Sequence, residues 1–491
     1  MIRILLVYPE TPETFWSFKH ALRLVSKKAA FPPLGLLTVA AMLPREWELR
    51  LVDLNVEHLT DETLDWADFV LVSAMLIQRA SVNELAARCA RAGKTVIAGG
   101  PLFTTMHSSF PSIQHFVLGE AEDVMEQLVE DMRAGTLQAR YEAPDRPDIT
   151  RVPTPRWDLL SLRHYQSMAV QFSRGCPYDC EFCDIVVMNG RVPRAKSPEQ
   201  LIAELEDLRE RGWQDGIFVV DDNFIGDKKK TKALLGEMVR WRERTRTRSY
   251  FLTEASVNLA QDPELLELMV AAGFRKVFLG IETPALESLT ECHKLQNTRA
   301  DMLTTVRTIQ SAGLEVMGGF IVGFDSDPRD IFKRQFEFIQ RSGVATAMVG
   351  LLTALPETRL YKRLMGEGRI EAVSTGDNTE ATLNFTPKLD REFLLAGYRD
   401  LMKRLYDPKV YYRRIRVLLA HHRPRRVAFS VSRGDILGLV RSLWLLGVRH
   451  GGRLAYWRLF WSTLLRHPRQ FPKTIELIIQ GYHLRRVAAS L

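Results

Sequence analysis

Short β-prone apolar runs alternate with segments of helical periodicity through residues 1–365, and the alternation fades beyond them. In the first 140 residues the runs are Arg3–Tyr8, Glu48–Asp53, Phe69–Ser73, Thr95–Gly99 and His115–Leu118. Helical spacing over Leu34–Leu43, Val82–Ala92 and Glu122–Arg133 falls between most of them. Strands with so few polar positions must be covered on both faces, so the order predicts an α/β domain with a doubly wound parallel sheet of Rossmann or flavodoxin type. Such sheets bind ligands beyond the carboxyl ends of their strands. Ser73, Gly99, Gly100 and Gly119 stand at those ends, where a small side chain lets a ligand approach the backbone.

Residues 141–162 begin rich in Pro, Asp and Arg and read as a linker. From 163 to 365 the pattern resumes. Strands are predicted over Met168–Phe172, Ile217–Asp221, Phe251–Ser256, Lys276–Gly280, Glu315–Val322 and Ala347–Leu352. The helix from Pro198 to Arg211 carries its own punctuation, with Ser197 as N-cap, Pro198 first, Gln200 completing the capping box and Gly212 closing it. Residues 366–491 read as mainly helical.

Charge is uneven along this 491-residue chain, whose formal total is +8. Tyr411–Leu491 holds sixteen Lys and Arg against only Asp435 and Glu476, so it carries +14 and residues 1–410 carry −6. Basicity therefore describes what the tail touches and not the rest of the chain. Arg441, Arg449, Arg453 and Arg458 alternate there with Trp444, Trp457 and Trp461. Two readings stand: a peripheral membrane surface with interfacial aromatics, or helices packed on the body with a solvated basic face. No RNA-binding module accompanies these residues, which disfavours nucleic acid.

Of the five cysteines, three lie in one loop, Gly175-Cys176-Pro-Tyr-Asp-Cys180-Glu-Phe-Cys183. Three thiolates are too few for a closed zinc site and too many for one disulfide, so they suggest a metal centre with an open position. Cys89 and Cys292 are single and read as packing residues. The absence of a disulfide framework implies a reducing compartment, and the N-terminal apolar run is too short for a signal peptide.

The Cys-x3-Cys-x2-Cys loop resembles that of the radical S-adenosylmethionine (SAM) superfamily, and six strand-helix units match its partial (β/α)6 barrel. The resemblance implies that Cys176, Cys180 and Cys183 hold three irons of a 4Fe-4S cluster. It also implies SAM contacts at Asp221, Asp222, Asn223, Glu254, Ser256, Glu282, Gly319 and Gly323. A sheet domain directly before such a core resembles the cobalamin-binding domain of the cobalamin-dependent radical SAM family, which places cobalamin at Ser73, Gly99, Gly100 and Gly119. The Asp-x-His-x-x-Gly motif that gives cobalt a lower histidine is absent.

Gly99–Phe103, Asp221–Gly226, Ser288–Cys292 and Gly318–Asp325, with the region after residue 366, are similar to the subgroup that includes hopanoid C-2 methylases. Methylation of an unactivated carbon in a small-molecule or lipid substrate follows from that likeness. An electron donor such as flavodoxin or ferredoxin is expected with it, the cysteine usage points to the cytoplasm, and the membrane reading of the basic tail would make the place peripheral at the inner face of the membrane. The competing readings are a cyclase, oxidase or rearrangement enzyme of the same architecture, and a non-catalytic iron-sulfur protein. Methylthiotransfer to transfer RNA usually brings a second cluster, for which no second cysteine group exists.

Overall fold

The computed structural model describes residues 1–377, 379–423 and 433–491. Two six-stranded sheets, all of whose pairings are parallel, organise it. The first contains β1 (Arg3–Tyr8), β2 (Glu48–Asp53), β3 (Phe69–Ser73), β4 (Thr95–Gly99), β5 (His115–Leu118) and β6 (Arg140–Glu142). Their spatial order is β2-β1-β3-β4-β5-β6, which reverses direction at β1 and β3. Leu5, Val7, Val70 and Val72 face one apolar layer, while Ile4, Leu6 and Leu71 face the other. This two-sided burial is why the strands read as unbroken apolar runs. The short strand β6 extends the sheet past residue 140, into the segment expected to be linker.

The second sheet is built from β7 (Ser167–Val170), β10 (Gly216–Val219), β11 (Tyr250–Ala255), β12 (Phe274–Glu282), β13 (Glu315–Val322) and β14 (Ala347–Leu351), in that order across it. A small antiparallel hairpin, β8 (Ser173–Arg174) with β9 (Arg194–Ala195), brackets the cysteine loop. The helix Pro198–Glu210 starts as its sequence dictates: Ser197 Oγ accepts the Gln200 N–H and Gln200 Oε1 accepts the Ser197 N–H at 2.9 Å.

Two elements from outside the barrel finish its core. Residues after β1 bring Phe15 into full burial and lay Trp16 over Phe218 of β10 and Phe278 of β12, with ring centroids 6.2 and 5.1 Å apart. The helix Phe471–Ala489 meets the amino-terminal ends of the strands, where Glu476 pairs with Lys276 at the start of β12 and Lys473 pairs with Glu315 at the start of β13. Its His483 bonds through Nε2 to the Thr14 carbonyl at 2.9 Å. The basic tail therefore packs on the body through one face. Its other face stays in water, with Val440, Trp444, Leu454, Trp461 and Leu465 each more than half exposed. Among the described residues no helix is long and apolar enough to cross a membrane.

Candidate active site

The three loop cysteines stand over the carboxyl ends of the barrel strands because the hairpin and two adjacent aspartates hold their loop there. Asp221, which follows β10, is fully buried and accepts from the backbone N–H of Phe172 at 2.7 Å, the N–H of Ser173 at 2.8 Å and the Ser173 hydroxyl at 2.5 Å. Burial outweighs those bonds and pushes its carboxyl up to about 7. With both oxygens engaged, Asp221 braces the loop, a different place from the open acceptor its motif suggested. Asp222 accepts from the Gly175 N–H and from Asn189 Nδ2, both at 2.8 Å. Gly175 has φ of +99°, and a Cβ there would lie 3.0 Å from the carbonyl oxygens of Gly190 and Val192. Glycine is thus required immediately before Cys176.

Amide side chains point at the sulfurs. Asn223 Nδ2 lies 3.8 Å from Cys176 Sγ, and Gln296 Nε2 lies 3.8 Å from Cys180 Sγ. Donors aimed at sulfur stabilise the negative charge of a cluster-bound thiolate, so this donor set fits an iron-sulfur cluster. Burial raises the Cys176 and Cys183 thiols in the free chain. Among the described residues no three His, Cys, Asp or Glu side chains are arranged to hold a single metal ion. In a cluster each thiolate takes its own iron.

Beside the loop, Glu282 ends β12 at a register shift, with a positive φ of 64°, a strained conformation for a residue with a side chain. Its carboxylate pairs with Lys294 at 2.8 Å. Burial opposes the Lys294 charge, but the Glu282 carboxylate together with the Cys180 and Cys183 sulfurs offsets it and raises the ammonium pKa. Gly280 makes the approach feasible, since a Cβ there would lie 2.5 Å from Glu282 Oε1. Glu254, at the end of β11, is pushed up to about 7 by burial and by the charge of Asp222. Ser256 donates through its backbone N–H to Asn223 Oδ1 at 3.2 Å and through its hydroxyl to Asn258 Oδ1 at 2.5 Å.

Gly319 packs on Phe278, whose ring a Cβ would meet at 2.9 Å. Gly323, with φ of +106°, donates to Asp327 Oδ2 at 2.7 Å. Phe324 then meets Phe182 of the cysteine loop at 6.2 Å, bringing the glycine-rich segment against the loop.

Sequence reasoning missed Gln296, Lys294 and the buried Asn297, which donates to the carbonyls of Gly280 and Ile281. A run of polar residues after Cys292 that lacks helical spacing was the available signal. Cys292 has a further part: its carbonyl accepts the Glu181 N–H at 3.0 Å, and Arg363 grips the Glu181 carboxylate with two bonds of 2.7 and 3.1 Å. Cys89 is enclosed in the apolar layer of the first sheet.

In that sheet Ser73 of β3 pairs in register with Gly99 of β4, and Gly99 with Val117 of β5. The four expected residues therefore line adjacent strand ends. Gly100 has φ of +92°, and a Cβ there would meet Ser73 Oγ at 2.7 Å; nothing lies within 4 Å of where a Gly119 Cβ would stand. A bare backbone edge of this kind fits a large flat cofactor laid across it. The edge also reaches the cysteine loop. Glu120 accepts from Arg174 at 2.6 Å and from Arg194 at 2.5 Å, and Glu122 pairs with Arg174 at 2.8 Å.

Comparison with known proteins matches three consecutive models: a B12 binding domain over residues 22–129, the radical SAM superfamily over 170–339, and a domain of unknown function (DUF4070) over 358–491. The chain is 41% identical to an uncharacterized methyltransferase of Synechocystis sp. over 98% of its length and 91% of that protein. It is 37% identical to a hopanoid C-2 methylase of Rhodopseudomonas palustris over 98% of its length and 93% of that protein. The solved structure of the cobalamin-dependent S-adenosylmethionine radical enzyme OxsB shares its fold, with a TM-score of 0.64 at 16% identity over all of this chain and 84% of that one. Carrying both cofactor domains in order, and alike along almost its whole length to named methyltransferases, the chain belongs to the cobalamin-dependent radical SAM family, whose cofactors are a 4Fe-4S cluster, SAM and cobalamin.

Proposed function

We propose that this enzyme methylates an unactivated carbon of a lipid, a hopanoid or another isoprenoid. The observation that carries the reading is the 37% identity to a hopanoid C-2 methylase along 98% of the chain. When bound, the cluster and SAM supply radical chemistry and cobalamin supplies the methyl group, which a polar route cannot deliver to such a carbon.

The protein's own share is positioning and exclusion of water. Cys176, Cys180 and Cys183 hold the cluster, with Asn223 and Gln296 donating to two of the sulfurs. Glu254 and Asp222 accept from the SAM ammonium, while Ser256, Gly319 and Gly323 shape the strand ends along which SAM lies. Glu282, neutralised by Lys294, adds a carboxylate beside the loop without adding net charge. Asp221 acts through the loop backbone. Ser73, Gly99, Gly100 and Gly119 receive cobalamin, and the Arg174 and Arg194 pairs with Glu120 keep that edge in register with the cysteine loop.

The setting we propose is the cytoplasm, at the inner face of the membrane, with a flavodoxin- or ferredoxin-like electron donor. Exposed Trp444 and Trp461 among Arg side chains support membrane contact, since aromatics settle in the interface and clustered Arg attracts anionic headgroups. Flotation with anionic vesicles, sensitive to salt, tests this contact.

Incubation of the reduced, cobalamin-supplied enzyme with methyl-labelled SAM and an anaerobic lipid extract tests the function. The expected product carries one labelled methyl, with 5′-deoxyadenosine and S-adenosylhomocysteine formed in equal amount. A converted product without label would replace methylation by ring formation, oxidation or rearrangement. Protein that retains no corrinoid would remove the cobalamin reading.

A further inference from the structure

The side of the barrel base carries an open groove of about 500 Å³ that no part of the reaction uses. It lies where the helix Lys19–Leu24, the helix Arg433–Trp444 and the C-terminal helix Phe471–Ala489 meet. Leu24, Val440, Trp444, Leu445 and the rings of Tyr482 and His20 make its walls, with His20 bonded to Glu13 at 2.6 Å. Val440 is 55% exposed and Trp444 61% exposed, so the walls run without a break onto the solvent-facing apolar side of the tail.

At the rim stand Arg23 and Arg441. The Arg441 guanidinium donates to the carbonyls of Arg23 at 2.9 Å and Leu24 at 3.0 Å and to the Ser26 hydroxyl at 2.8 Å. These three acceptors are neutral, so they fix the group without neutralising its charge. An apolar trough of this size with cations at its lip has the complement of an amphiphile with an anionic head, and its volume falls in the range small ligands occupy.

We propose that this groove holds an acyl chain of one anionic phospholipid drawn from the membrane, with the phosphate at Arg23 and Arg441. The proposal rests on the membrane docking proposed above and gives it a defined anchoring point. The occupant is an anchor and not the substrate, because the Tyr482 wall belongs to the helix that meets the amino-terminal ends of the strands. The cysteine loop stands at their opposite ends. Charge complementarity selects the phospholipid: the region from Tyr411 onward carries +14, and lateral lipid exposure is what its uncovered tryptophans provide.

The experiment uses the full chain and vesicles of dioleoylphosphatidylcholine with or without dioleoylphosphatidylglycerol. Flotation is scored first. Protein recovered in mild detergent is then examined by native mass spectrometry for retained lipid. The parent should float with the anionic vesicles and retain one phosphatidylglycerol.

Val440→Trp fills the groove without removing apolar surface, so it should float as the parent does while retention falls by about tenfold, the loss a modest weakening of contact produces. Arg23→Gln should lower retention of phosphatidylglycerol with SAM cleavage unchanged. Equal retention by Val440→Trp overturns the proposal. A parent that floats but retains no lipid overturns the groove and leaves docking standing; one that retains lipid but does not float supports the groove and removes docking. A parent that does neither overturns both.

Discussion

Arg174 and Glu120 meet at 2.6 Å, the first two residues before Cys176 and the second directly after Gly119 at the end of β5. Both are about nine-tenths shielded from water, and Arg194 reaches the same carboxylate. One buried anion thus ties the cysteine loop to the strand edge of the other sheet. Removing it leaves two guanidinium groups without their shared partner, a change that costs about 3 kcal/mol where such pairs are buried. Glu120→Ala should therefore lower thermal stability and separate two activities. Reductive cleavage of SAM should persist while methylated product falls by about tenfold, because small misplacements of reacting groups are expensive. Equal loss of both activities would show that the pair supports the fold alone.

Replacing any one of Cys176, Cys180 and Cys183 by Ala should abolish iron incorporation and 5′-deoxyadenosine formation together. Cys292→Ala should keep its iron, since the contact it gives the loop is a backbone carbonyl. Its cost should be about 1 kcal/mol of stability from the small void left in a buried position. Iron analysis beside thermal unfolding checks both, and an active Cys180→Ala enzyme would overturn the cluster assignment.

Gln296→Leu removes the donor 3.8 Å from Cys180 Sγ while keeping the volume. Charge on the sulfur is then less stabilised, and the reduced cluster suffers most. The midpoint potential should fall by roughly 40 mV, the one-electron equivalent of about 1 kcal/mol. Potentiometric titration followed by electron paramagnetic resonance reads this directly; an unchanged potential would leave Gln296 as packing.

Acid should loosen the C-terminal helix through His483. Its imidazole is fully enclosed, and burial holds its pKa down at about 4 from the usual 6.5. Because the folded value is the lower one, the unfolded chain takes up the proton first. The contribution is complete above pH about 6.5 and is lost as pH falls through about 4, amounting to about 3 kcal/mol over that interval. Denaturant titrations between pH 7 and 4 should show this slope, and His483→Phe should flatten it. A slope that persists in the variant would belong to other groups.

Strands buried on both faces were legible because parallel sheets leave no polar alternation to misread, and the cysteine spacing was legible because it is local. β6 escaped because Arg140 and Glu142 are exposed on either side of a single buried Tyr141, leaving no apolar run. The carboxyl end of β12 was placed short because after Gly280 the strand runs through a register shift into the strained Glu282, whose partner Lys294 stands twelve residues on. Gln296 lies 116 residues from the sulfur it faces, a separation at which no periodicity reports contact. Asp221 and Asp222 are adjacent and chemically alike, yet Phe172 and Ser173 take both oxygens of the first, while Gly175 and Asn189 both bond to Oδ2 of the second. Only the folded loop distinguishes them.

Lys276 and Glu315 sit at the starts of β12 and β13, while their partners Glu476 and Lys473 arrive on a helix more than a hundred residues later. Order of synthesis therefore matters. When the last barrel strand has left the ribosome, the base of the barrel is still an open, charged mouth, where Lys276 and Glu315 meet each other only at 3.8 Å and water supplies the remaining bonds. Closure waits for the helix Phe471–Ala489, so assembly of the catalytic body follows synthesis of that helix, and the integrity of the radical site is tied to a segment far from any reacting atom.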